Sequence, residues 1–224
     1  MKATTKAYLG WVAFSILGTG ASELTGLDPG PIRPLASAAT LLTGCAALLL
    51  PVADRIGTGR AAAGFLSVLA LGAAAEIAGL YTGLPFGRYE YTDRWQPIVP
   101  LPGDQRFPVL LPLAWFLIAG AAYLLAARWF HGFAAALTGA CLATAVDAAM
   151  EPVLTGPLGY WRWLEPTVLG IAPAANFGGW FGVSLVAGLL LQAAGFHRTA
   201  GDSDAAWVLG GHLGLMAAVA AFAS

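Results

Sequence analysis

The chain is a succession of apolar runs, each long enough to cross a bilayer, separated by short polar or Gly/Pro-rich connections. They fall at residues 7–25, 35–53, 61–82, 108–130, 132–150, 176–196 and 205–223, and a transmembrane helix needs about 17–25 such residues. Hydrocarbon offers the backbone no hydrogen-bond partners, so each run is expected to close its own bonds as a helix. The expected fold class is all-α: a polytopic membrane helix bundle of about seven transmembrane helices, forming one integral-membrane domain over 1–224. Composition agrees, with 58% hydrophobic and 10% charged residues, where a soluble domain carries about 25% charge. Gly10, Gly18 and Gly20, and the series Ala73, Ala74 and Ala75, suit close helix packing in lipid.

Charge excludes some partners and orients the rest. The net charge is −1 with no basic tail or stripe, which argues against nucleic acid. Lys2 and Lys6 precede the first run, which invites a signal-peptide reading with small residues near Gly20. The long apolar stretch and the absence of a clear cleavage pattern before Glu23 argue against it. The short loops holding Arg55, Arg60, Arg128 and Arg198 carry little offsetting acid, so the positive-inside rule favours an inside N-terminus and a multi-pass protein of the cell membrane. In this topology the loops 26–34, 83–107 and 151–175 share one face. That face is rich in Pro, Gly, Tyr and Trp, whereas the opposite connections are short and plain.

Three acids lie within or at the end of apolar runs: Glu76, Asp147 and Glu151. A carboxylate near the bilayer centre costs roughly 2.5–3.5 kcal/mol on insertion scales, and intramembrane acids mark sites by default. Glu76 stands about six residues, or ~9 Å of helix rise, inside the end of its run. It is read either as a packing acid, hydrogen-bonded across to another helix or paired with Arg88, or as a catalytic group. Asp147 and Glu151 are four apart and share a helix face, with Glu151 placed at a helix break before Pro152. Two acids this close in low dielectric do not both ionise cheaply, so one is expected to keep its proton. The competing reading is an interfacial cap served by Arg162.

Around these acids the loops alternate polar and aromatic groups: Pro85 to Tyr91 in the first long loop, then Tyr160, Trp161 and Trp163 in the second. They make either an interfacial aromatic belt or a site wall whose π faces steady a cation by about 0.5–2 kcal/mol per ring. TGLPFGRYEY (82–91) and TGPLGYWRW (155–163) echo one another, through duplication or chance. Asn176, before Phe177, Gly178, Gly179 and Trp180, opens a run either as a helix cap or as a holder of water, and the two glycines allow close packing.

Several chemistries lack their residues. The last run has no lysine for a retinal Schiff base, no Asp-rich pair is present to hold magnesium and diphosphate, and no GxGxxG follows a strand. The three histidines are far apart, and Cys45 and Cys141 read as small core residues, so no metal site is expected.

The chain resembles the carotenoid biosynthesis membrane-protein family that includes the CruF-type carotenoid hydratases. The resemblance rests on ordered blocks: Glu76 ahead of TGLPFGRYEYTD (82–93), VP at 99–100, PLAW (112–115), the Asp147–Pro152 block, Trp161 with Trp163, and NFGGW (176–180). It implies addition of water, without a cofactor, to the terminal C1=C2 double bond of an acyclic carotenoid or carotenoid end group. It also implies a lipophilic carotenoid partner in the bilayer and, as further partners, other carotenoid-pathway enzymes.

The residues suit that reaction. Alkene hydration needs a neutral acid in a dry pocket, a base for the water, and walls that steady a tertiary carbocation. Asp147 or Glu76 is the expected proton donor and Glu151 the water base. Arg88, Tyr89 and Tyr91 are expected to shape the site, with Trp115, Tyr160, Trp161, Trp163, Asn176 and Trp180 as its substrate-binding wall. Two other readings stay open: a carotenoid end-group cyclase, which starts with the same protonation, and a proton-coupled transporter or lipid-binding protein.

Overall fold

A computed structural model of the chain describes residues 1–28, 30 and 32–222. Its helices are α1 (Ala3–Thr25), α2 (Arg33–Ile56), α3 (Thr58–Thr82), α4 (Leu111–Trp115), α5 (Ala121–Ala126), α6 (Gly132–Thr155), α7 (Ala174–Ala194) and α8 (Ala205–Phe222). A π-helical segment, Phe116–Gly120, joins α4 to α5. The architecture is a helical membrane bundle. Among the described residues, five helices are long and apolar enough to cross a bilayer: α2, α3, α6, α7 and α8. Helix α1 has 23 residues, but Lys6, Glu23 and its Ser and Thr residues dilute its apolar character.

The run at 108–130 differs from expectation in a way that positions the site. Its helical part is only Leu111–Ala126, and it forms the buried axis of the bundle rather than a lipid-facing span. Phe116, Leu117, Ala121, Ala122 and Leu124 have no exposed surface. Helices α2, α3, α6, α7 and α8 all pack on this axis. A helix apolar on every side is buried on every side.

A second difference concerns Pro152. The chain was expected to leave the helix at Glu151, but α6 continues to Thr155 with Pro152 inside it. Proline forfeits one backbone bond without forbidding the residues after it from staying helical at a helix end. Glu151 is consequently held on the helix wall, 1% exposed.

The elaborated face carries two small antiparallel ribbons. β1 (Tyr89–Tyr91) pairs with β4 (Trp161–Trp163), and β2 (Ile98–Leu101) with β3 (Gln105–Pro108). The first ribbon joins the two echoing segments to each other, aligning Tyr89 with Trp163, Glu90 with Arg162 and Tyr91 with Trp161. The period-two side-chain alternation of a strand explains the alternating composition. Tyr89, Tyr91, Trp161 and Trp163 share the face toward the bundle, while Glu90 and Arg162 form an ion pair on the other face. Arg162 therefore caps neither Asp147 nor Glu151. Pro29 and Pro31, in the loop 26–34, and Ala223, the last residue of the run 205–223, lie outside the described residues.

Candidate active site

Glu76 on α3 accepts three hydrogen bonds. The Tyr89 and Tyr91 hydroxyls donate to Oε2 at 2.6 and 2.9 Å, and the Trp115 indole N–H donates to Oε1 at 3.0 Å. Burial first, and then the neighbouring Glu76 carboxylate, push both ribbon phenols well above the ordinary tyrosine range, so both stay protonated as donors. Arg88 is not the partner of Glu76. Its side chain is 75% exposed and faces Glu165 at 3.9 Å, outside the cavity described below.

Across the site, one amide bridges the other two acids. Asn176 Nδ2 donates to Asp147 Oδ2 at 2.8 Å and to Glu151 Oε1 at 3.4 Å. The Trp163 indole N–H donates to Glu151 Oε2 at 3.1 Å. Helix α7 starts at Ala174 with Pro173 at its cap position, so Asn176 sits inside the first turn and is not the helix cap. The ribbon thus serves both flanks, with tyrosines on Glu76 and a tryptophan on Glu151.

Glu76, Asp147, Glu151 and Asn176 line one cavity of ≈ 710 Å³, together with Tyr89, Tyr91, Trp115, Tyr160, Trp161, Trp163 and Trp180. Trp115 stacks on Trp180 with ring centroids 4.0 Å apart. Among the described residues, no three His, Cys, Asp or Glu side chains gather closely enough to hold a metal ion. The cavity is walled unevenly. Its lining residues on α3, α4, α6 and the ribbon are mostly buried, whereas Phe14, Gly18 and Ala21 of α1, Leu27, Ile32, and Leu35 of α2 line it and are exposed. These positions lie on the C-terminal half of α1, the connection after it and the start of α2, together with the polar lining residues Glu23, Thr25 and Asp28.

Several lining residues had no place in the sequence reading. Trp95 stacks on Tyr160 at 4.9 Å. Trp11 donates to Thr40 at 3.0 Å. Phe86, by contrast, belongs to the Pro85–Tyr91 segment read as a site wall, and lies beside Trp115 at 5.8 Å. Trp95 continues the aromatic series of Tyr89 and Tyr91, a signal present in the sequence. Trp11 lies within an apolar run and carries no such signal.

Two glycines set how closely the walls approach. A Cβ on Gly72 would lie 2.6 Å from the Trp115 ring, and one on Gly179 would lie 2.6 Å from Phe86 and 2.8 Å from the Pro85 carbonyl oxygen. Gly178, its neighbour in the sequence, meets nothing within 4 Å, so only one of the two has a packing reason. Gly72→Val is expected to push the indole off Glu76 and to destabilise the protein by about 1–3 kcal/mol, the usual cost of overpacking. A thermal melt in detergent reads this, and an unchanged midpoint would contradict it.

The fold and site together define a membrane helix bundle enclosing a carboxylate- and tryptophan-lined, largely apolar cavity. A family model described as "Carotenoid biosynthesis protein" matches residues 36–223, and the chain belongs to that family. It is also 29% identical over 154 residues to bisanhydrobacterioruberin hydratase of Haloarcula japonica, covering 67% of this chain and 49% of that protein. The chain therefore spans about half the length of the curated relative it matches. No solved structure matches it.

Proposed function

We propose that this protein is a cofactor-free hydratase of the cell membrane. It would add water to the terminal C1=C2 bond of an acyclic carotenoid or carotenoid end group. The observation that carries this reading is the convergence of three buried carboxylates from two helices on one largely apolar, aromatic-walled cavity. The family membership and the similarity to a carotenoid hydratase support it.

The hydrogen bonds support one division of roles. Glu76 receives three donors and acts as the anchor that holds the tyrosines and Trp115 in place. Asp147 receives one amide donor, and Glu151 receives an indole and a share of that amide. The less supported acid of the pair, Asp147, keeps the shared proton and is the donor. Its proton goes to C2 of the terminal alkene and leaves a tertiary cation at C1, beside the stacked Trp115 and Trp180. A water oxygen bonds to C1, and its released proton goes to the Glu151 carboxylate. Proton return from Glu151 to Asp147 restores the pair, one turn apart on the same helix face.

Expression in a bacterium that accumulates an acyclic carotenoid tests the reading. The expected product is one water heavier than the substrate. A new ring at unchanged mass would mark a cyclase instead, and unaltered pigment would overturn both.

A further inference from the structure

His212 lies on α8, is 7% exposed and lines the same cavity. Its Nδ1 is buried without a hydrogen-bond partner. Contacts around the bundle show what packs beside it. A Cβ added at Gly211 would meet Tyr8, and one at Gly44 would meet both Tyr8 and Leu117. Beside His212, α8 therefore packs on Tyr8 of α1, which in turn reaches α2 at Gly44. Ile118, and Leu215 and Met216 of α8, which line the cavity too, are apolar.

A buried ring nitrogen left without a partner costs about 1–3 kcal/mol, and no protein group here relieves it. The hydrocarbon end of an acyclic polyene has neither donor nor acceptor to offer. Water has both, and so satisfies Nδ1 in either imidazole tautomer. We infer that His212 holds a water on the α8 wall of the cavity, and that this is the water which captures the cation. The inference rests on the hydratase reading for the fate of the water, but not for its presence. The imidazole is a positioning residue: the oxygen bonds to C1, the proton leaves to Glu151, and His212 ends as it began.

Two measurements on the full chain in detergent test this. The first is infrared difference spectroscopy in ordinary water and in water labelled with oxygen-18. Wild type should show an isotope-shifted O–H stretch that is missing from His212→Leu and restored in His212→Gln. The second follows turnover in deuterium oxide. His212→Leu should lose hydration about tenfold or more, while deuterium exchange at C2 of recovered substrate stays within about twofold of wild type, because the cation still forms and collapses back. A structural defect would lower exchange and hydration together. That result, wild-type hydration by His212→Leu, or no His212-dependent water band would each overturn the inference. His212→Met replaces the leucine variant if that one fails to accumulate. A wild type that binds the water but forms no hydrated carotenoid would sink the hydratase reading and leave the water site standing.

Discussion

Asp147→Asn is expected to cut hydration by about 10²–10⁴, the usual contribution of a general acid, with little change in the melting midpoint. Asparagine keeps the side-chain shape and an oxygen for the Asn176 amide, which is bonded to Asp147 Oδ2 at 2.8 Å in wild type. It has no acidic proton to give to an alkene carbon. Deuterium exchange at C2 should vanish with it, since no cation forms, and this separates the donor from a residue acting only on the water. Product quantified from purified variant and wild type at equal concentration checks the claim. More than about a tenth of wild-type activity in Asp147→Asn would move the donor role elsewhere.

Glu76→Leu is expected to show the largest loss of stability. It strands the Tyr89 and Tyr91 hydroxyls and the Trp115 indole N–H, all of which point at one carboxylate. Each orphaned buried donor costs about 1–3 kcal/mol, and a chain of this size loses roughly 2–4 °C per kcal/mol, so the midpoint should fall on the order of 10 °C. The β1–β4 ribbon should loosen with it, because its tyrosines are fastened through this acid, and Trp163 would then be a poorer partner for Glu151. Differential scanning fluorimetry of the two variants side by side reads the contrast. A Glu76→Leu protein as stable as Asp147→Asn would remove the anchor role.

The acids and aromatics were visible in the sequence because both are anomalous in an apolar chain. Glu76, Asp147 and Glu151 stand out against their lipid-soluble neighbours, and Tyr89, Tyr91, Trp161 and Trp163 show the alternation of a strand with one face turned inward. Arg88 shows the limit of that reasoning. A basic residue twelve positions from Glu76 suggested an ion pair, but in a strand its neighbour Tyr89 takes the inward face and Arg88 is left outside with Glu165. Asn176 read equally well as a cap or a site residue. Only the start of α7 at Ala174 and the position of α6 separate those readings. His212 gave no signal at all, since a lone histidine in an apolar run looks the same whether its nitrogen is satisfied or bare.

The sequence by itself determined that this chain is a helical membrane bundle whose polar groups gather toward one face. That conclusion follows from the length and composition of single segments and from the cost of leaving backbone bonds unmade in hydrocarbon. Tertiary structure decided which segment is the buried axis, that the two echoing loops pair with each other, which donor serves which carboxylate, and which elements wall the cavity. These outcomes depend on contacts between residues distant in the chain, such as Trp115 with Glu76 or Asn176 with Asp147. Their energies are set by shape and distance across helices, which no local pattern of residues encodes.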